Sequence, residues 1–148
     1  MMVEIIIVAS IITASILGIM AVAQKSIYVS RQTLHSVQAS FLLEEGAEAV
    51  RVFRDNTWTN ISSLNNATDY YPVFSSGTWS LSTTPSQVGI FTRKVNIASV
   101  SRDNTTQDIS STGTNDPGTK LITVTVSWSE AGTTVSKTLS FYIMDLFS

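Results

Sequence analysis

The stretch Met1 to Ala23, MMVEIIIVASIITASILGIMAVA, is an apolar run broken by a single carboxylate, Glu4. Its length matches the roughly 20 residues that a helix needs to cross a bilayer. A simple anchor has no use for an acid inside it. Placing one in hydrocarbon costs at least about 2.5 kcal/mol, and such groups normally face a partner within a helix bundle. Glu4 therefore predicts a cation close by. The first basic side chain is Lys25, so the expected partner is an α-amino group, from this chain or from a neighbouring copy.

The flanks add a second constraint. Lys25 and Arg31 follow the apolar run, and by the positive-inside rule they would draw the region after it to the cytoplasm. That region instead has the composition of an extracellular domain. A short basic leader, once ahead of Met1 and then removed, resolves the conflict. Ala21-Val22-Ala23 fits a signal-peptide cleavage site, but the run lacks a charged n-region and is longer than an ordinary h-region.

Beyond Ala23 the helix is expected to continue. Leu34, Val37 and Phe41, then Leu42, Gly46, Ala49 and Phe53, recur at steps of three and four along one helix side, and no proline intervenes before Pro72. The helix is predicted over 1–54, about 80 Å at 1.5 Å per residue, with Asp55-Asn56-Thr57 as its stop. Glu48 and Arg51 are spaced to pair, and Arg51 and Arg54 suit the negative C-terminal end. A head of some ninety residues is too short to cover such a helix, which leaves 1–23 to lipid or to other copies. Gly18, with Thr13 and Ser15 nearby, is its weakest stretch. Glycine costs about 1 kcal/mol against alanine in a helix interior, or it lets neighbouring helices approach closely.

The order of three apolar residues, Glu4 and a β-branched apolar run passing without proline into an amphipathic helix resembles the mature N-terminus of a type IV pilin. The segment Glu44-Glu45-Gly46-Ala47-Glu48-Ala49-Val50-Arg51 through Trp58 is similar to pilin-like proteins of small-genome bacteria. The resemblance implies removal of a leader by a prepilin peptidase, methylation of the new N-terminus, here Met1, and pairing of Glu4 with the N-terminal amine of a neighbouring subunit. It also implies local melting around Gly18 on assembly. Met1, Glu4 and Gly18 are thus the candidate assembly residues. The implied partners are further copies of the chain, the membrane before assembly, the pilus assembly machinery, and a surface or host-cell receptor.

From residue 55 the pattern changes to period two and turn residues. A connector, Asn56 to Ser86, carries Trp58, Tyr70, Tyr71 and Trp79. Three strands are then predicted: one marked by Phe91, Val95 and Ile97, one by Ile122, Val124, Val126 and Trp128, and one by Val135, Leu139, Phe141 and Ile143. Glu130-Ala131-Gly132 joins the last two as a hairpin. The expected fold is α+β: the long helix, its second half packed on a small antiparallel sheet formed by 55–148. Between the strands, 99–119 contains SRDNTTQDISSTGTNDPGT and is expected to be an exposed loop. Asp103, Asn104, Asp108, Asn115 and Asp116 offer oxygen ligands for calcium, but their spacing matches no EF-hand and all are ordinary turn formers. No metal or cofactor is therefore assigned.

Composition limits the functional classes. The 148 residues carry no cysteine, one histidine, 14% charged residues and a net charge of −2, which excludes disulfide stapling and predicts a surface built from Ser, Thr and Asn. Asn60-Ile61-Ser62, Asn66-Ala67-Thr68 and Asn104-Thr105-Thr106 match the N-linked acceptor pattern and mark exposed loops. His35 stands alone, no serine lies in a nucleophile elbow, and Glu44-Glu45 is the only acidic pair on the helix, so no enzyme is expected. Arg93, Lys94 and Arg102 are a sparse basic set for DNA. The expected function is a structural subunit of an extracellular pilus used for attachment or twitching motility. The alternatives are a minor pilin or pseudopilin of a secretion or DNA-uptake machine, and a single-pass membrane-anchored binding domain.

Overall fold

The computed structural model describes residues 2–146. Helix α1 spans Met2–Asn56 without a break, and a short helix α2 spans Thr59–Ser62. Seven strands follow: β1 (Tyr71–Ser75), β2 (Thr78–Ser82), β3 (Gln87–Val88), β4 (Phe91–Arg102), β5 (Ile109–Ser110), β6 (Thr114–Glu130) and β7 (Thr133–Met144). The architecture is α+β, with the long N-terminal helix packed on antiparallel sheets. The chain divides into two compact units, residues 1–38 and 39–148. The second begins inside α1, because from Ala39 onward the helix has a sheet to pack against.

In this second unit every strand pairing is antiparallel. The larger sheet runs β3-β4-β6-β7, with β5 added to the end of β4, and β1 and β2 form a separate hairpin. Strand β6 alternates along 122–128. Ile122, Val124, Val126 and Trp128 point inward and are buried, whereas Thr123, Thr125 and Ser127 are only half-buried. Period-two alternation of this kind puts one face on the core. Val95 and Ile97 of β4 and Ile143 of β7 complete the sheet side of the core, and Ala39, Leu43 and Val50 supply the helix side. Gly46 is required by this contact. A Cβ there would lie 2.8 Å from Val124 Cγ1 and 3.1 Å from Arg93 Cδ, so the bare backbone is what lets helix and sheet meet.

The helix face differs from the one read off the sequence. Ala39, Leu43, Gly46, Ala47, Ala49 and Val50 are the buried residues of α1, with Leu42 and Phe53 packed at the margin. Leu34, Val37 and Phe41 are 54%, 47% and 66% exposed. At 3.6 residues per turn they lie roughly 150° from the centre of the buried arc. The sequence reading joined two apolar stripes into one.

Two further expectations are corrected. The connector 56–86 is more ordered than its composition suggests: it holds α2 and the β1–β2 hairpin, whose Phe74 and Trp79 rings lie 5.2 Å apart. The exposed loop expected over 99–119 shrinks to 103–113, itself containing β5, because β4 and β6 continue to pair as far as Arg102 and Thr114. The ladder shifts register between Ser99 and Val100, where Pro117, Gly118 and Thr119 have no partner on β4. A bulge is where a strand tolerates a proline, which has no N–H to donate. Arg102 locks the extension, its Nε donating to Asp116 Oδ2 at 2.6 Å and its Nη2 to Thr119 Oγ1 at 3.1 Å. The β6–β7 hairpin forms where expected, with Ala131 and Gly132 both at positive φ, 48° and 81°. That pair of dihedrals matches the right-handed twist of the flanking strands.

Candidate functional site

Residues 2–38 form the candidate assembly segment. Ile, Val, Leu and Ala continue the helix through this region, and it is long and apolar enough to cross a membrane by length and composition. Its apolar side chains are uncovered: Ile5 and Ile19 are 68% and 69% exposed. Three hydroxyls in its apolar first part are turned back on the helix. Ser10 Oγ donates to the Ile6 carbonyl at 2.7 Å, Thr13 Oγ1 to Ala9 at 2.8 Å and Ser15 Oγ to Ile11 at 2.8 Å. With their protons placed on i−4 carbonyls, these hydroxyls do not present unsatisfied donors to an apolar medium.

Glu4 lies in the first turn of α1, where the positive end of the helix dipole favours a carboxylate. Its neighbours Val3 and Ile5 are exposed apolar residues. Met1, the other half of the proposed amine–carboxylate pair, lies outside the described residues. Gly18 is helical, with no atom within 4 Å of the place a Cβ would occupy. It lines a shallow apolar groove with Ser15, Ile19, Val22, Ala23 and Ser26. Small residues at this spacing leave room for a second helix backbone to approach.

The three basic residues considered for DNA are each engaged within the second unit. Lys94 Nζ meets Asp69 Oδ2 at 3.0 Å and Arg102 meets Asp116. Arg93, 4% exposed, lies 3.1 Å from Glu45 Oε2, with its guanidinium 5.3 Å from the centre of the Trp79 ring. Arg93 is therefore a fastener between helix, sheet and the β1–β2 hairpin. Sequence reasoning missed this role, since the partners are 48 and 14 residues away in the chain and nothing local signals them.

Of the oxygen-rich residues of the 99–119 region, Asp103, Asn104 and Asp116 are taken up by protein donors. Asp103 Oδ1 accepts the Thr105 and Thr106 N–H groups at 2.7 and 2.9 Å, which hold its carboxyl below the usual range. The hydroxyl of Thr119 and the Arg102 guanidinium do the same for Asp116. No group of three or more His, Cys, Asp or Glu residues positioned to hold a metal occurs among the described residues. Two aromatic residues of the connector fill space: Tyr70 is buried, its hydroxyl accepting the Asn65 N–H at 2.9 Å, and Trp58 packs on the core.

No family model, curated protein or solved structure matches this chain. Its functional reading rests on the residues and their arrangement.

Proposed function

We propose that the chain is a structural subunit of a type IV pilus-like filament, held in the membrane by its N-terminal helix segment and polymerised through that segment into an extracellular fibre. One observation carries the reading. A helix of 55 residues leaves its first half wholly uncovered while placing an acid in its first turn. Lipid covers the apolar side chains before assembly and other copies cover them afterwards. Hydrophobic transfer between two apolar environments is nearly balanced, so helix packing and the pairing of Glu4 with an amine select the subunit's position. A step so closely balanced suits an assembly machine that both extends and retracts the fibre.

The test is Glu4→Ala in cells that make the protein. The variant should accumulate in the membrane fraction at the normal level, while filaments sheared from the surface fall at least about tenfold, the loss expected when an interaction of more than about 1.4 kcal/mol is removed. Normal filament yield from Glu4→Ala would sink the proposal. A chain found only in membranes, with no filament by electron microscopy even in the unmodified form, would favour a single-pass anchored domain instead. The apolar helix segment serves that reading equally well, but an anchor leaves Glu4 without a role.

A further inference from the structure

The three Asn-X-Ser/Thr triplets are alike in sequence, but the fold treats them very differently. Asn60 is half-buried in α2, and its Nδ2 donates to the Phe53 carbonyl at 3.0 Å, closing the C-terminal end of α1. The next residue, Ile61, is fully buried. Asn66 is exposed, but its Nδ2 donates to Ser99 Oγ at 2.9 Å, and its triplet is stitched to β4 by Ala67 N–H to the Ile97 carbonyl and by Asn96 Nδ2 to the Thr68 carbonyl. In both cases the amide nitrogen that would carry a sugar is already spent on the fold.

Asn104 is the exception. Asn104, Thr105 and Thr106 are all exposed, on the turn that leaves the end of β4. The turn is held from beneath by Asp103, whose side chain takes the Thr105 and Thr106 N–H groups and whose carbonyl takes the Gln107 N–H at 3.0 Å. Thr114 Oγ1 donates to Asn104 Oδ1 at 2.7 Å and orients the amide by its oxygen. Asn104 Nδ2 makes no hydrogen bond among the described residues. The Thr106 hydroxyl, two residues on, is exposed, accepts a long 3.3 Å contact from the Asp108 N–H and also interacts with the Asp103 carboxylate.

We propose that Asn104 is an N-glycosylation site of the folded protein, and that Asn60 and Asn66 are not. The donor class is a glycan linked through phosphate to a membrane lipid, and the partner is a membrane oligosaccharyltransferase that reads Asn-X-Thr. Asn104 Nδ2 forms a bond to C1 of the first sugar as the bond from C1 to the phosphate oxygen breaks. The lipid phosphate leaves with that electron pair, one amide proton passes to a base of the transferase, and nothing is oxidised or reduced. The proposal rests on the filament reading only for its extracytoplasmic placement of the head.

The test is peptide mass spectrometry on the full chain recovered from cells that make it, alongside electron microscopy of filaments from the same preparation. The peptide containing Asn104 should carry the mass of an oligosaccharide, and Thr106→Ala and Asn104→Gln should each abolish it, whereas Asn60→Gln should leave it. An unmodified Asn104, a glycan on Asn60 in its place, or a glycan that survives Asn104→Gln and so sits on a neighbouring hydroxyl would each overturn the assignment. Filaments without sugar at Asn104 defeat this inference and leave the filament reading standing. Sugar at Asn104 without filaments does the reverse.

Discussion

Helix α1 contains two regions of similar helical regularity and opposite circumstances. In residues 2–38 the apolar side chains are exposed along the whole segment. From Ala39 onward a narrow arc of small residues and leucine is buried against a sheet. The first region is more apolar than it needs to be for a soluble helix, while the second is sparing, with Ala, Gly and Val where close approach is required. Apolar content alone is therefore a poor guide to what the protein covers by itself. The first region is chemically suited to an environment supplied from outside, and the second brings its own.

Core truncation should separate the two most sharply. Ile122→Ala, at a fully buried position of β6, should cost about 2–5 kcal/mol, visible as a large drop in the denaturation midpoint of the β-sheet signal. Ile11→Ala, exposed in the first region, should leave that midpoint within about 0.5 kcal/mol. Equal effects would mean that the two regions share a core.

The two glycines of α1 offer a reciprocal contrast. Gly46→Ala pushes a methyl group into Val124 and the Arg93 stem and should destabilise the head by about 1–3 kcal/mol. Gly18→Ala meets nothing and should strengthen the helix by about 1 kcal/mol. If local melting at Gly18 is part of assembly, as the pilin resemblance implies, that same change should lower filament yield while raising helix content by circular dichroism.

The outward stripe sharpens the comparison within the helix itself. Phe41→Ser removes an exposed aromatic residue and should change head stability by no more than about 0.5 kcal/mol, against several kcal/mol for a buried position such as Leu43. A reduced filament yield from Phe41→Ser at unchanged stability would place this stripe at a contact between copies.

The smallest expected effect is on pH dependence. Hydrogen bonds from Asn96 and Lys94 hold the Asp69 carboxyl below its ordinary 3.8, and Asp103 and Asp116 are lowered by their own donors. A depressed folded-state value means the stabilisation is complete above the unfolded value and is lost as pH falls through the folded one. Melting temperature should therefore be flat through neutral pH and decline below about pH 4. Asp116→Asn should blunt the decline and lower the plateau slightly, read from thermal melts across an acid series.

Much of the fold was legible because its signals are local. The absence of proline before Pro72, the alternation of Ile122 to Trp128 with Thr and Ser, and the Ala131-Gly132 turn each act over a few residues, and the helix, strands and hairpin follow from them. The face that α1 buries was not legible. Leu34, Val37 and Phe41 have the same spacing and greater bulk than the residues that pack, and only the sheet's shape selects Ala39, Leu43, Gly46 and Val50. Arg93 was unreadable for a related reason: its burial depends on Glu45 and Trp79, brought beside it by two other elements.

The amino-acid sequence by itself determined a long apolar helix segment with one acid near its start and a β-rich domain after it, since periodicity and hydropathy operate between near neighbours. Tertiary structure alone decided which helix stripe is covered, how far β4 and β6 extend into a stretch with almost no apolar residue, and which of three acceptor motifs keeps its amide nitrogen free. Those outcomes depend on backbone approach and on hydrogen bonds between residues far apart in the chain, and such pairings exist only once the sheet has closed on the helix.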